Sequence, residues 1–528
     1  MSQPPEVVIA VIRDRVLSGA ERVLERICDS LGKRCWAKLA LTTLVLAYVV
    51  GFGWMVFQRH YHFNSAGFDL GLQEQVVWST SRGRPFQISF ETGNYLGDHF
   101  QPLMALLSPL YWLRPSVYWM LAFQTVVLAL GAIPVFRLSR RHLGSHLAGL
   151  VFAAVYLIYP AVGYINRFDF HWESTIVPLL LSAADFVDAG RLRWASVFLA
   201  LTLLGKEEIG LTVAAFGVVV ALRGRRRFGA LWAISGVLFS LIALFVLIPA
   251  FRAGASDTLG RYAWLGSTPG EMVATLVTKP AVLVERQVPS RALSLGFQLL
   301  APVAFLLLLS AGELFILLPS LGYNLLSSFS PQHTIYYQYV APTVPFVLVG
   351  AIRGMGTLQR LLRSANAPRY ITWMPWGGLV VVALVAGFRW SPLRDTGRVP
   401  PAWSRLPNEG AVRTALAQVP AEAAVFTTNP YAPHLSQRDI LRVFVYHEDL
   451  QCLSEVDAVF LNVRDQRSLG SELSCDDYGH FVEVAATDGF GVTFRSHGAL
   501  VLRRGTGDAI TPDLVDQLVR RCEATRSG

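Results

Sequence analysis

Long apolar runs, separated by short polar stretches rich in arginine, dominate the first 390 residues of the chain. "LALTTLVLAYVVGFGWMVF" (39–57) is the first of them. A bilayer core takes about 20 apolar residues as a helix. Inside hydrocarbon every backbone N–H and C=O must be satisfied within the segment, so such runs are expected to be helices. Short segments of alternating polarity, the mark of a membrane β-barrel, are not the pattern here. Spans are expected near 37–57, 116–137, 145–164, 172–188, 194–205, 207–222, 229–250, 293–310, 312–327, 337–354 and 371–389, about eleven in all. The fifth and sixth are short, with "GKEE" between them. Two further helices, 68–82 and 99–113, are expected to lie along the membrane surface within the long segment 58–115.

The pattern changes from about residue 391. "SPLRDTGRVPPAWSRLPNEG" is rich in Pro, Gly and Arg and has the character of a linker. Beyond it "AAVFTTN", "RVFVY", "VDAVFLNV" and "ALVLRR" predict short buried strands. "EGAVRTALAQV" and "TPDLVDQLVRRCEA" predict amphipathic helices. The expected organisation is an amphipathic N-terminal segment 1–36, a transmembrane domain 37–390, a linker 391–410 and a soluble α/β domain 411–528.

Composition agrees with this pattern. Of 528 residues, 53% are hydrophobic and 16% charged, against roughly 25% charged in a soluble domain. The expected class is a polytopic α-helical membrane protein. The net charge of +9 is placed where it sets topology. Arg13, Arg15, Arg22, Arg26, Lys33 and Arg34 precede the first span, and "RLSRR" (137–141), "RLR" (191–193), "RGRRR" (223–227) and Arg360, Arg363 and Arg369 fall in later short loops. The positive-inside rule puts all of these in the cytoplasm. The N-terminus is then cytoplasmic, the first span acts as its own signal-anchor, and the C-terminal domain lies outside the cytoplasmic membrane. No nucleic-acid partner is implied. GxGxxG and GxxxxGK[ST] are absent, which argues against an ATP-driven pump. Of five cysteines, Cys28 and Cys35 fall inside, and Cys452, Cys475 and Cys522 outside. A Cys452–Cys475 disulfide is one pairing an oxidising compartment allows, with one cysteine left over.

Ionisable residues near spans are costly and mark function. On this topology they collect on the outer face: Arg59, Asp69, Glu74, Asp98 and His99; Asp169, His171 and Glu173 in "NRFDFHWES"; Lys206, Glu207 and Glu208 in "GKEE"; and His333, Tyr336, Tyr337 and Gln338 in "SPQHTIYYQY". Each has an ordinary explanation. Asp69 caps a helix, Glu74 is solvated, and Lys206 beside Glu207 is a self-neutralising pair. The gathering on one face favours a site. A carboxylate partly desolvated at the interface is a better base. Asp69, Asp98 and His99 also offer hard ligands, so a divalent cation is a candidate cofactor, although no spacing is diagnostic of one.

"FDLGLQEQVVW", "GDHFQPLMALLSPLYWL", "FQTVVLALGAIPVFRLSRR", "FDFHWES", "LLGKEEIGL", "YQYVAPTVPF" and "APHLSQR" together resemble a family of predicted integral membrane proteins of unknown function. That family is allied to the GT-C glycosyltransferases, membrane enzymes that use polyprenyl-phosphate sugars. The resemblance runs from about 65 to 465. It implies a GT-C-like fold with a long first external loop, an acidic catalytic residue just after the first span, and an external C-terminal domain. By it Asp69 matches the catalytic carboxylate, with Glu74 as second acid. The adjacent acidic pair of several GT-C enzymes is replaced here by "DL". It further implies that Lys206, Arg59 or His333 faces the departing phosphate, and that Tyr336, Tyr337 and Trp172 stack on sugar or headgroup. Asp98, His99, Asp169, His171, Glu173 and Glu207 complete the expected substrate-binding set. The expected partners are a polyprenyl-phosphate-linked sugar and membrane lipid.

Two rival readings stay open. A lipid or small-molecule transporter, or flippase, would carry polar residues through to both faces and often shows inverted repeats. No repeat is visible, but the "GKEE" break suits a transporter. A non-catalytic membrane scaffold is the third reading.

Overall fold

The computed structural model describes residues 35–90, 93–252, 260–395, 397, 402–444, 453–465, 467 and 474–526. The amphipathic segment expected over 1–36, apart from its last two residues, lies outside these, as do Cys28 and Cys452.

Helix α1 (Cys35–Tyr61) is followed by a π-helical turn, Gly67–Gly71, and then α2 (Leu72–Ser81). The chain next passes through a 3-10 helix (Pro102–Leu107) and a short α-helical turn (Ser108–Leu113), within the second expected surface helix, and then forms α3 (Tyr118–Leu130) and α4 (Ala132–Leu143). Gly144, at φ +72°, ends α4 in the left-handed conformation that an L side chain resists. Ser145 then starts α5 (His146–Leu157), its hydroxyl accepting from the Leu147 and Ala148 amides. Pro160 opens α6 (Pro160–Arg167), bent by 44° from α5. The bundle continues with α7 (Ile176–Asp188), α8 (Leu192–Leu203), α9 (Ile209–Leu222), α10 (Arg226–Ile242), α11 (Val288–Leu300), α12 (Ala311–Leu326), α13 (Val344–Ser364) and α14 (Arg369–Arg389). Helices α9 and α10 pack with their backbones nearly touching: a Cβ on Gly210 would stand 2.2 Å from the Gly236 carbonyl. Small residues permit that approach.

Every expected span position holds helix, but the count of eleven crossings is not established. Among the described residues four helices are long and apolar enough to cross a bilayer: Trp36–Tyr61, Tyr118–Leu143, Arg226–Phe251 and Arg369–Arg389. The bent pair α5–α6 makes up to five. Helices α8, α9 and α12 are apolar but have only 12, 14 and 16 residues, against about 20 for a full span.

The C-terminal unit is a five-stranded mixed sheet: β1 (Val425–Thr428), β2 (Leu441–Phe444), β3 (Ala458–Asn462), β4 (Phe490–Ser496) and β5 (Ala499–Arg504), in the order β2-β1-β3-β5-β4. β1 runs parallel to β2 and β3, while β5 is antiparallel to both β3 and β4. Helices α16 (Cys475–Thr487) and α17 (Pro512–Arg526) cover one face. α15 (Glu409–Leu416) lies on the other, with Phe63 from the chain just past α1 joining its core. The unit thus shares a hydrophobic core with the membrane part. Arg167 reinforces the junction by donating to the Pro392 and Arg394 carbonyls and to Asp395. Strand β4 and helix α16 lie outside the expected elements.

Cys475 is bonded to Cys522, joining α16 to α17. The expected Cys452–Cys475 pair is therefore wrong. Sequence spacing leaves three pairings open among three cysteines, and packing of the two helices chose this one.

Candidate functional site

The π-helical turn after α1 carries Asp69, and two contacts set its position. The Gly67 and Phe68 amides both donate to Asn429 Oδ1, at 2.7 and 3.3 Å. Gly67 also lies so close to the C-terminal unit that a Cβ would stand 2.7 Å from the Ala432 methyl group. A side chain at 67 would push the turn off its seat.

From Asp69 a chain of polar contacts runs across the helix ends. Asp69 Oδ1 lies 3.2 Å from His171 Nε2. His171 Nδ1 lies 3.2 Å from the Phe168 carbonyl, so both ring nitrogens face acceptors and the ring is best satisfied as an imidazolium. Burial works against that charge, yet the bond to Asp69, with Glu173 and Asp169 nearby, raises the His171 pKa. Asp169, at φ +44°, accepts from Arg59 and, at 3.0 Å, from the Ala66 amide. Glu173 accepts from Lys206 at 2.6 Å and from Gln101 at 3.2 Å. Lys206 also reaches Glu208 at 3.3 Å. Glu207 accepts from the Phe100 amide at 3.1 Å and binds His99 Nδ1 at 2.9 Å. Asp98 stands 3.7 Å from the other His99 nitrogen. Burial disfavours charge on His99, but Asp98 and Glu207 overcome it and raise its pKa to about 9.

The acids of this chain differ in how they are held. Asp169 and Glu173 are buried and paired with Arg59 and Lys206. Asp69 is 29% exposed and is contacted through Oδ1 alone among the described residues. Beside Lys206, a cleft lined by Glu173, Glu208, Tyr323, Gln338 and Tyr339 has about 10 Å³ of free volume. That is close to the space of one water molecule, so this cleft is shut.

Residues 59–480 of the chain match the family described as "Predicted membrane protein (DUF2079)". The chain belongs to this family. The matched segment contains every acid of the cluster as well as the 429–438 contacts. No curated protein sequence matches the chain significantly. Among solved structures, the chain is similar to ArnT from Cupriavidus metallidurans bound to undecaprenyl phosphate: 12% identity, TM-score 0.49, 87% of this chain and 97% of that one. The apo state of the same protein gives 12% identity, a TM-score of 0.48 and coverage of 87% and 98%. The Archaeoglobus fulgidus oligosaccharyltransferase, in complex with Zn and sulfate, gives 12% identity, a TM-score of 0.42 and coverage of 82% and 69%. All three likenesses are distant.

The structure thus gathers Arg59, Asp69, Asp98, His99, Asp169, His171, Glu173, Lys206 and Glu207 into neighbouring sets of contacts that act on one another electrostatically. Glu74 does not join them. It is buried in α2 and accepts from Tyr111, Ser436 and Gln437. Its bonds to Ser436 and Gln437 turn it toward the C-terminal unit. Tyr337 lies within electrostatic reach of Asp69, but Tyr336 packs edge-on against Tyr164 and Trp172 stacks on Phe123 within the core. His333 bonds the Ser327 carbonyl instead of the cluster. Among the described residues no group of three or more His, Cys, Asp or Glu is placed to hold a metal ion. Asp69 turns to His171, away from Asp98 and His99, so the expected ligand set does not assemble.

Four contributors escaped sequence reasoning. Gln124 donates to the Asn166 and Asp169 carbonyls and accepts from the His171 amide, fixing the loop that carries both residues. Its signal was available: a polar residue inside the apolar span 116–137. Gln101 and Asn429 had no such signal, because their partners Glu173 and Gly67 lie far along the chain, and Tyr95 enters only through its bond to Gln101.

Proposed function

We infer that the protein is a membrane glycosyltransferase of the GT-C type, moving a sugar from a polyprenyl-phosphate donor to an acceptor hydroxyl at the extracytoplasmic face. The observation that carries this reading is Asp69. It is a membrane-proximal carboxylate on a turn seated by Asn429 and oriented by His171, with its second oxygen left open. In the reaction the acceptor oxygen forms its bond to the anomeric carbon and gives its proton to Asp69. The bond from that carbon to the phosphate oxygen breaks, and the phosphate leaves with the electron pair, inverting the centre. His171 orients Asp69 in this scheme and is a positioning residue. Arg59 is held too tightly by Asp169 to face a phosphate. Lys206 remains the cation for that task, because its second partner Glu208 is 3.3 Å away and 27% exposed, and an incoming phosphate can take its place. The shut cleft beside Lys206 has to open for a donor to enter, which suits a segment ordered by substrate.

The test is transfer of label from a panel of polyprenyl-phosphate sugars in membranes, comparing wild type with Asp69→Asn. Label reaching a new product with wild type alone supports the reading. Equal transfer by the variant removes Asp69 from the role of base. No transfer from any donor, by protein shown to be folded, favours the transporter, and uptake assays follow.

A further inference from the structure

The end of the bundle away from Asp69 is built around arginine. Asp185 pairs with Arg137 and Arg141, and Asp188 with Arg141 and His142. Glu313 pairs with Arg223 at 2.6 Å and Arg353 at 3.2 Å. These acids do not consume the available charge. Arg360 bonds only the Thr357 hydroxyl, and neither Arg363 nor Arg369 has a carboxylate partner among the described residues. Helix α13, 21 residues long, rises about 30 Å at 1.5 Å per residue. It begins beside the Tyr339 side of the first cluster and ends at Arg363, so the two polar regions are about a membrane thickness apart.

Two cavities meet at this end. One, of about 560 Å³, is walled by Arg141, Arg223, Arg353, Arg360 and Arg363. The other, of about 330 Å³, is lined by Leu147, Val151, Trp373 and Trp376, with Arg363 and Arg369 at its edge. Leu143, Gln359 and Arg363 border both, so the two adjoin there as a paired basic and apolar hollow. Trp373 and Tyr370, exposed on the first turns of the spanning helix α14, are the aromatic residues expected at headgroup depth.

We propose that this hollow binds an anionic phospholipid, its phosphate among Arg360, Arg363 and Arg369 and an acyl chain against Trp373 and Trp376. Charges that served topology alone could be scattered over the loops. Here unpaired arginines converge on a cavity whose continuation is apolar, which is the chemistry of a phosphate joined to a hydrocarbon chain. A free phosphate shares half of that chemistry, and the test separates the two. The site is remote from Asp69, so the proposal stands whether or not the protein transfers sugar.

The full-length protein in neutral detergent is titrated with dioleoylphosphatidylglycerol, dioleoylphosphatidylcholine and glycerol phosphate while thermal unfolding and bound lipid, by native mass spectrometry, are followed. Phosphatidylglycerol is expected to bind and raise Tm, and the other two to do neither. The variant Arg360→Gln/Arg363→Gln/Arg369→Gln should weaken binding at least tenfold. Its three side chains are exposed and form no ion pair among the described residues, so its lipid-free Tm should match wild type. Trp373→Ala should weaken phosphatidylglycerol binding with all the arginines in place. Equal binding of phosphatidylcholine would overturn the proposal by showing that charge is not read. Equal binding of glycerol phosphate would overturn it in favour of a free-anion site. Wild-type affinity in the triple variant would overturn its location.

Discussion

The two polar ends of the helical bundle treat charge in opposite ways. At the Asp69 end acids outnumber bases, and each base is held against an acid: Arg59 with Asp169, Lys206 with Glu173, His99 with Glu207, His171 with Asp69. At the other end, arginines outnumber acids, and several stay exposed with no carboxylate partner among the described residues. A buried pair needs its partner, since an uncompensated charge away from water costs several kcal/mol. An exposed arginine is solvated and costs little. The first arrangement holds geometry; the second leaves charge available to something outside the chain. At the first end Asp69 keeps one oxygen uncontacted among the described residues and is 29% exposed, as do Glu208 and Asp98 at 27% and 38%.

Substitutions can break this comparison. The largest effect is expected for Asp69→Asn, which should lower sugar transfer by about 10²- to 10⁴-fold with Tm unchanged, because the side chain is 29% exposed. Parallel losses of activity and Tm would make Asp69 a structural residue. Next is Asp169→Asn. It strands Arg59, which is 2% exposed, and should cost about 3–5 kcal/mol, read as a fall in Tm in detergent. A change within 1 °C would show that water reaches this pair.

The third concerns pH. Burial pushes the Glu74 carboxyl up to about 7, against the opposing bonds from Ser436, Gln437 and Tyr111. A pKa raised on folding contributes stability that is full below the unfolded value of about 4.5 and is lost as pH rises through 7. Docking of the 433–438 segment should therefore weaken between pH 4.5 and 7. Glu74→Gln should flatten that dependence and stabilise the protein above pH 7, by up to about 3 kcal/mol. Protease sensitivity of the C-terminal unit against pH measures it. The smallest effect is expected at the other end, where Arg360→Gln or Arg363→Gln should change stability by no more than about 0.5 kcal/mol. A larger loss of Tm would mean that this end, too, depends on its charges for folding.

Much of the fold was legible because its cause is local. Long apolar runs become helices for want of any other way to satisfy the backbone in hydrocarbon, and all eleven expected positions are helical. How many of them cross was not legible, since a helix of 12–16 residues can be a tilted span or a buried element. Four expected strands lie in one sheet, but β4 escaped: "FGVTFRS" lacks a continuous apolar run, and pairing with β5 made it a strand. The site was half legible. Arg59, Asp169, His171, Glu173 and Lys206 stood out as charges beside apolar runs, a pattern visible without any partner. Glu74 stood out equally but packs against Tyr111, Ser436 and Gln437, because sequence spacing does not say which way a short membrane-proximal helix faces when both of its sides are covered.

What the sequence alone determined is thus what single segments decide: membrane class, helix positions, and the sorting of acids and arginines into different loops. Hydrophobic length and charge placement act residue by residue along the chain, so they survive without a third dimension. The tertiary structure decided which charges neutralise each other, which cysteine found Cys475, and that Asn429, some 360 residues downstream, seats the turn of Asp69. Those outcomes depend on distances of a few ångströms between segments that adjoin only after the helices pack, and burial then turns each such distance into a large electrostatic term.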